Sequence, residues 1–146
     1  KTLLKLCPKG KVQGIDYSAV SVEKARKVNA RAIAAGRCTV QQASVAELPF
    51  EAEQFEVVTA FETVYFWPEL AQNFREVYRV LKPGGTFFIC NEANGETTKD
   101  DKWTKIIDGM TIYTDIALKA YLEQAGFCQI QSHKNKKGWL CITAQK

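Results

Sequence analysis

Apolar and polar positions alternate along the chain in two ways, which predict two kinds of element. Short, nearly continuous apolar runs bounded by turn residues predict strands buried in a sheet. Between these runs, apolar residues recur every three or four positions, which predicts helices with one buried face. Repeated strand–helix–strand units predict an α/β fold with a doubly wound, mainly parallel sheet. The predicted strands are Val12–Asp16, Cys38–Ala43, Phe55–Phe61, Thr86–Asn91, Phe127–His133 and Trp139–Ala144.

The first long helix is predicted between the first two strands. Ser18 can cap its amino end, and Gly36 is typical of the residue that follows a helix. The segment Thr2–Leu6 also predicts a helix, of which we expect only the end. The apolar stripe of the long helix consists of Val22, Ala25, Val28, Ala32 and Ala35.

Two further helices are predicted in the second half of the chain. Pro68 suits the first turn of one, and Lys82–Gly85 (Lys-Pro-Gly-Gly) ends it with a tight reversal. Thr114 or Asp115 caps the other, which ends at Gly126. The buried faces are Leu70, Phe74, Val77 and Leu81 in the first, and Leu118, Tyr121, Leu122 and Ala125 in the second.

The remaining connections differ in length. Residues Glu92–Tyr113 show no sustained period, which predicts a long loop with one helical turn near Trp103–Ile107. Loops of this length inside a domain are usually functional or mobile, and we expect this one to cover a ligand. The last two strands are joined by a lysine-rich turn with Gly138, which predicts a C-terminal antiparallel hairpin.

Size, composition and charge limit the classes of protein to which the chain can belong. With 146 residues, 46% of them hydrophobic and 25% charged, it suits a single globular domain over residues 1–146. The net charge of +4 comes from short basic groups, whereas a nucleic-acid surface is denser and interleaved with aromatic residues. No apolar run reaches the roughly 18 residues of a membrane span. We therefore expect neither a nucleic acid nor a membrane as partner.

The cysteines argue against a metal site and against a secreted protein. No two of the five have the spacing of a zinc site, and His133 is the only histidine. An odd count is also unlike a disulfide framework. The sequence therefore predicts a cytoplasmic protein without a metal. The cysteines in apolar runs are predicted core residues: Cys38, Cys90, Cys128 and Cys141.

Candidate binding residues follow the first two predicted strands, because ligands of such sheets lie beyond the carboxyl ends of the strands. Asp16 can accept both hydroxyl protons of a ribose, and a helix-capping or turn role is the alternative. Ser44 and Val45 follow the next strand, where they meet an adenine edge or form an ordinary turn.

A group of large residues follows the strand Phe55–Phe61. Phe61 and Glu62 lead into the apolar and aromatic segment Val64–Trp67. These residues can form the wall of a pocket, in which Glu62 and Tyr65 supply polar groups that orient a ligand. The alternative is core filling beneath the following helix.

Four segments together resemble a known family. They are Gly14–Ser18 (Gly-Ile-Asp-Tyr-Ser), Glu47–Phe50 (Glu-Leu-Pro-Phe), Phe55–Val58 (Phe-Glu-Val-Val) and Arg79–Gly85 (Arg-Val-Leu-Lys-Pro-Gly-Gly). In order and spacing they are similar to class I S-adenosylmethionine-dependent methyltransferases, and most to the small-molecule branch called methyltransferase type 11. The resemblance covers nearly the whole chain. It implies a Rossmann-like, seven-stranded sheet that ends in an antiparallel hairpin strand.

The resemblance also implies a reaction and roles for residues. The reaction is in-line transfer of a methyl group from S-adenosyl-L-methionine to a small-molecule acceptor, which leaves S-adenosyl-L-homocysteine. Glu62 and Tyr65 are the candidate catalytic residues where the acceptor must lose a proton. The cofactor-binding residues would be Asp16 at the ribose, Tyr17 against the adenine, Ser44 and Val45 at its border, and Phe61 at the methyl-transfer pocket.

The chain departs from the family pattern in two respects. Ser44 stands where the family usually has an aspartate that binds the adenine amino group. The family's first strand and glycine-rich turn would precede Lys1, so we expect an amino-terminally truncated domain. The absent strand would lie between Val12–Asp16 and Phe55–Phe61. We therefore expect self-association or rearrangement at this gap in the sheet rather than a stable monomer.

Two other interpretations remain open at this point. A nicotinamide-dependent oxidoreductase of Rossmann type shares the acid after the first strand, although Lys82–Gly85 and the terminal hairpin disfavour it. The other is a non-catalytic fragment with the methyltransferase fold.

Overall fold

The computed structural model describes residues 1–96 and 100–146, which form two compact units, Lys1–Ser44 and Val45–Lys146. Each unit has its own sheet, of two strands in the first and four in the second. Helices alternate with strands along the chain, which confirms the predicted α/β class. That residues 1–146 form a single domain stays a prediction. So does the expected self-association or rearrangement at the gap between the strands Val12–Asp16 and Phe55–Phe61.

The first unit is a parallel strand pair with three short helices. Strands β1 (Val12–Asp16) and β2 (Cys38–Gln42) pair in parallel, with Val12 opposite Cys38 and Asp16 opposite Gln42. The helices are α1 (Thr2–Leu6), α2 (Ala19–Val28) and α3 (Ala30–Ala34), and α2 packs on both strands.

The helix predicted from Ser18 to Gly36 is interrupted at Asn29. The Asn29 side-chain amide donates to the carbonyl of Ala25 at 2.8 Å, and the Asn29 backbone (φ −109°, ψ 14°) leaves the helical region. Asparagine side chains compete with main-chain groups in this way, so the prediction of one continuous helix is wrong here. The predicted cap is confirmed, since the Ser18 hydroxyl accepts from the N–H of Ser21 at 3.4 Å.

The second unit is built on a four-stranded sheet in the order β3-β4-β6-β5. Its strands are β3 (Phe55–Phe61), β4 (Leu81–Asn91), β5 (Cys128–Lys134) and β6 (Leu140–Gln145). Strands β3 and β4 are parallel, whereas β6 is antiparallel to both β4 and β5. The predicted C-terminal antiparallel hairpin is therefore confirmed. The helices are α4 (Leu70–Val80), α5 (Asp101–Ile106) and α6 (Asp115–Gln124).

The junction between α4 and β4 differs from the prediction. Leu81, expected on the buried face of the helix, has extended backbone angles and is the first residue of β4. Lys82–Gly85 forms a bulge within this strand, because the pairing passes from Phe55–Leu81 to Val57–Thr86. A Cβ at Gly85 would lie 2.8 Å from the carbonyl oxygen of Lys82, so only glycine fits this turn.

The core of the second unit lies where α4 and α6 pack on the sheet. Every second residue of β4 and β6 faces this side, as expected for a sheet with one covered face. The fully buried side chains include Phe74, Val77, Val80, Phe87, Ile89, Leu118, Leu122, Leu140 and Ile142.

The cysteines follow the prediction in three of four positions. Cys38, Cys90 and Cys141 are buried and unpaired by disulfides. Cys128 is exposed, because the first residues of β5 lie at the outer strand of the sheet, so its assignment to the core is wrong.

The predicted loop Glu92–Tyr113 contains the helix α5, close to the expected helical turn. Residues 97–99 of this segment lie outside the described residues. None of the helices that the structure describes is long and apolar enough to cross a membrane.

Candidate active site

Glu62 directly follows β3 at the carboxyl edge of the sheet. Its N–H donates to the carbonyl of Cys90 on the neighbouring strand β4 at 3.0 Å. Its backbone has a left-handed φ of +54°, which costs about 1–3 kcal/mol for a residue other than glycine. Strain of this kind is concentrated at functional sites, and here it sets the direction in which the carboxylate leaves the strand.

Both oxygens of the Glu62 carboxylate are hydrogen-bonded. Oε1 accepts from the N–H of Glu92 at 2.6 Å, and Oε2 accepts from the hydroxyl of Tyr65 at 3.4 Å. Glu92 directly follows β4, so the ends of two parallel strands meet at this carboxylate. Glu62 and Tyr65 are thus in direct contact.

Tyr65 is buried, with 3% of its surface exposed. It lies in the 3-10 turn Val64–Phe66, which brings its hydroxyl against the main chain of Ala93. The hydroxyl accepts from the Ala93 N–H at 2.9 Å and can donate to the Ala93 carbonyl at 3.2 Å or to Glu62. Tyr65 therefore joins the carboxylate to the segment that follows β4.

Burial shifts the titration of both groups. Partial desolvation raises the pKa of Glu62, and the nearby charge of Glu92 raises it further, against the lowering effect of the hydrogen bonds from the Glu92 N–H and Tyr65. Burial, followed by the charge of Glu62, raises the pKa of Tyr65 above its usual range. Tyr65 consequently stays protonated as a donor at neutral pH, whereas Glu62 is the group that can accept a proton.

The segment after β4 is tied down at several points. The N–H of Thr111 donates to the carbonyl of Tyr65 at 2.9 Å. The Asn94 side chain donates to the carbonyl of Gly138 at 3.0 Å, and the N–H of Asn94 donates to Asp100 at 3.1 Å. The expected covering loop is thus connected both to the candidate site and to the β5–β6 hairpin.

Sequence reasoning missed the partners of the two predicted residues. Glu92 and Ala93 act through main-chain groups, which no residue type reveals. The loss of hydrophobic periodicity after Asn91 was the one available signal, and it marked only the end of the strand.

Phe61 contributes an exposed aromatic surface directly before Glu62 in the chain. It is the last residue of β3, is 48% exposed and packs against Phe88 with ring centres 5.5 Å apart. Phe66, in the following turn, is 40% exposed. An apolar surface thus accompanies the polar groups at this edge, as in many ligand pockets.

The remaining predicted cofactor residues lie near the ends of β1 and β2. Asp16 ends β1, and its Oδ1 accepts from the N–H of Ser18 at 2.9 Å. The Tyr17 ring is 74% exposed, and the Tyr17 carbonyl accepts from the Gln42 side chain at 2.9 Å. Ser44, two residues after β2, is exposed. A carboxylate, an exposed ring and a hydroxyl fit an adenosine group by their chemistry.

The predicted site residues fall into both compact units. Asp16, Tyr17 and Ser44 belong to the first unit, whereas the second contains Val45, Phe61, Glu62 and Tyr65. Within the second unit, Glu62 and Tyr65 form one hydrogen-bonded group, and Phe61 precedes Glu62. Val45 is half-buried at the start of a turn. Among residues 1–96 and 100–146, no three His, Cys, Asp or Glu side chains are grouped so that they could hold a metal ion.

Comparison with known proteins identifies the family. A family model described as "Methyltransferase domain" matches residues 1–89, which is more than half of the chain. The chain belongs to this methyltransferase family. The predicted resemblance is therefore confirmed.

Two curated relatives of this chain are named as C-methyltransferases, that is, enzymes that methylate carbon. The ubiquinone/menaquinone biosynthesis C-methyltransferase UbiE of Geotalea daltonii is 35% identical over 78 residues, which are 53% of this chain and 33% of the relative. The 24-methylenesterol C-methyltransferase 3 of Arabidopsis thaliana is 26% identical over 130 residues, with 82% of this chain and 36% of the relative covered. The chain thus spans about a third of the length of these relatives.

A solved structure confirms the fold. The complex of the Haloferax volcanii Trm112 methyltransferase activator with a methyltransferase contains a chain that matches with a TM-score of 0.85 and 19% identity. The match covers 98% of this chain and 76% of the other. The Rossmann-like methyltransferase fold predicted from the sequence is therefore confirmed.

Proposed function

We propose that this chain forms part of an enzyme that transfers a methyl group from S-adenosyl-L-methionine to a small-molecule acceptor. The observation that carries the proposal is the Glu62 carboxylate, held by the N–H of Glu92 and by Tyr65 where β3 and β4 end. Membership of the methyltransferase family supports the reaction type. The position supports the site, because ligands of such sheets lie beyond the carboxyl ends of the strands.

A role towards the cofactor is proposed for each predicted binding residue. Asp16 would bind the ribose hydroxyls, Tyr17 would lie against the adenine, and Ser44 and Val45 would border it. Phe61 would form an apolar wall at the methyl-transfer pocket, which its exposed ring supports. When bound, S-adenosyl-L-methionine supplies an activated methyl group, and its product is S-adenosyl-L-homocysteine. The residues of the chain position the reactants, which is a large source of rate in displacement reactions.

Glu62 is proposed as the catalytic base. A carbon acceptor must lose a proton during methylation, and the names of the relatives indicate transfer to carbon. A carboxylate with a raised pKa is suited to accept that proton near neutral pH. Tyr65, the other predicted catalytic residue, is buried and keeps its proton. Its proposed role is to position Glu62 and the main chain at Ala93.

The acceptor is proposed to be apolar. Phe61, directly before Glu62, and Phe66, in the turn after it, leave aromatic surface exposed, and the two named relatives act on quinone and sterol compounds according to their names. An apolar acceptor gains binding free energy from burying such surface. The unpaired cysteines support a cytoplasmic setting for the reaction.

The test is calorimetric titration of S-adenosylhomocysteine into the 146-residue chain and, beside it, into a chain extended amino-terminally through a glycine-rich turn, followed by competition with NADH. We expect S-adenosylhomocysteine to bind the extended chain and NADH not to displace it. Transfer of labelled methyl groups from S-adenosylmethionine to a demethylated quinone and to a sterol then tests the reaction. Displacement by NADH would favour the nicotinamide-dependent oxidoreductase instead. Absence of binding by either nucleotide would favour the non-catalytic alternative.

A further inference from the structure

Two buried cysteines face each other across the sheet next to the candidate site. Cys90 on β4 lies directly opposite Cys141 on the antiparallel strand β6. The Cys141 thiol donates to the Cys90 sulfur, with the two sulfur atoms 3.6 Å apart. Both residues are free thiols, and they are 8% and 7% exposed.

The register of these strands suits a disulfide bond. Directly opposite residues of an antiparallel pair have Cα atoms about 4.5–5.5 Å apart. This interval lies within the roughly 4.4–6.8 Å that disulfide bonds span. The sulfur atoms, 3.6 Å apart here, need to approach to about 2.05 Å, which takes side-chain rotation together with a small shift of the main chain.

We propose that Cys90 and Cys141 form a reversible thiol–disulfide couple that responds to peroxides. The thiolate of one cysteine attacks an oxygen of hydrogen peroxide and becomes a sulfenic acid, while the O–O bond breaks and the departing hydroxide takes up a proton to become water. The second thiol then attacks the sulfenic sulfur, forms the S–S bond and releases a second water molecule. The two thiols thereby lose two electrons and two protons, and the peroxide is reduced.

The surroundings determine how readily the pair reacts. Burial, the hydrogen bond shared with Cys141 and the charges of Cys141 and Glu62 raise the pKa of the Cys90 thiol to about 11. His133 on β5 lies opposite Cys141 in the register and is exposed. Because the thiolate is the reactive form, the pair stays reduced under ordinary conditions and oxidises slowly under peroxide.

Oxidation would reach the candidate site through the main chain. The carbonyl of Cys90 accepts the hydrogen bond from the N–H of Glu62, so a shift of Cys90 towards Cys141 disturbs the anchor of the carboxylate. This consequence rests on the proposed function of Glu62. Formation of the disulfide itself does not rest on it.

The test uses the full chain with the exposed cysteines replaced, Cys7→Ser and Cys128→Ser, so that they do not compete. The protein is treated with hydrogen peroxide, free thiols are alkylated under denaturing conditions, and peptides are mapped by mass spectrometry without reduction. We expect a linked peptide pair containing Cys90 and Cys141, which dithiothreitol separates. Full alkylation of both residues after peroxide, or their separate oxidation to sulfinic acids, would overturn the proposal.

A second readout follows methyl transfer in the same background. We expect peroxide to lower the initial rate several-fold, dithiothreitol to restore it, and the further change Cys141→Ser to abolish this response. If the reduced Cys7→Ser, Cys128→Ser protein shows no methyl transfer, the proposed function is contradicted. The peptide map then still decides whether the disulfide forms. An equal loss of rate with and without Cys141 would overturn the link to Glu62.

Discussion

The Arg79 guanidinium donates a hydrogen bond to the main-chain carbonyl of Leu48 at 3.1 Å. A second bond reaches the carbonyl of Phe50 at 2.8 Å. Glu76, one turn earlier in α4, accepts from Arg79 at 2.8 Å and from the N–H of Leu48 at 3.1 Å. The segments Glu47–Phe50 and Arg79–Gly85, which carry much of the family resemblance, are therefore in direct contact. Their shared role is to fasten the connection before β3 onto the helix after it.

Replacing Arg79 should destabilise the second unit. Arg79→Ala leaves two main-chain carbonyls and Glu76 without their charged donor, and we expect a loss of about 1–3 kcal/mol in the free energy of unfolding. Arg79→Lys should recover only part of it, because a lysine cannot reproduce the forked geometry. Urea denaturation measures both values. The matched control is Arg75→Ala on the exposed face of the same helix, which should change stability by less than about 0.5 kcal/mol. Equal effects of the two alanine variants would contradict this role of Arg79.

Hydrophobic periodicity was sufficient to predict the strands and most of the helices. Every predicted strand is present within a few residues, because short apolar runs bounded by turn residues mark strand positions along the chain. The misses occurred where a local polar or steric effect outweighs periodicity. Asn29 bonds to its own helix and interrupts it. An apolar residue such as Leu81 suits the end of a helix face and the start of a strand equally well. Leu81 belongs to the strand because the bulge at Lys82–Gly85 lets β4 pair with β3 on both of its sides.

The candidate site was predictable as far as it depends on side chains. Glu62 and Tyr65 lie three residues apart just after the strand β3, so a turn brings them together, as the structure shows. The main-chain donors at Glu92 and Ala93 depend on how β3 and β4 end beside each other, which is a property of the sheet and not of residue types. The left-handed backbone of Glu62 had no signal either, because glycine is the usual marker of that conformation.

Replacing Glu62 by glutamine should abolish most of the methyl transfer. Glu62→Gln keeps the shape and the hydrogen bond from the Glu92 N–H but cannot accept a proton, and a general base typically contributes about 10²-fold or more to the rate. Initial rates with labelled S-adenosylmethionine measure the loss. Glu56→Gln on the same strand is the control, because Glu56 is exposed and pairs only with Lys82 among the ion pairs that the structure describes. A Glu62→Gln variant as active as Glu56→Gln would exclude Glu62 as the base.

Neutralising Glu92 should move the pH dependence of the reaction. The negative charge of Glu92 contributes to the raised pKa of Glu62, and Glu92→Gln removes the charge while keeping the N–H donor. A base loses activity as the pH falls through its pKa, so a lower pKa extends activity to more acidic conditions. We expect the acidic limb of the pH profile of kcat/KM to shift to lower pH, with the plateau rate largely kept. A limb that stays in place would show that Glu62 does not produce it.

Removing the Tyr65 hydroxyl should shift the acidic limb of the pH profile of kcat/KM to higher pH, opposite to the effect of Glu92→Gln. The hydroxyl donates to the Glu62 carboxylate and thereby lowers its pKa. Without that donor the charged form is less stable, so Tyr65→Phe should move the acidic limb of kcat/KM to higher pH. The buried N–H of Ala93 also loses its partner, and the free energy of unfolding should fall by about 1–3 kcal/mol. The pH profile of kcat/KM and urea denaturation of the Tyr65→Phe variant test the two effects. A uniform loss of rate without a shift of the limb would indicate instead that Tyr65 takes part in the chemistry itself.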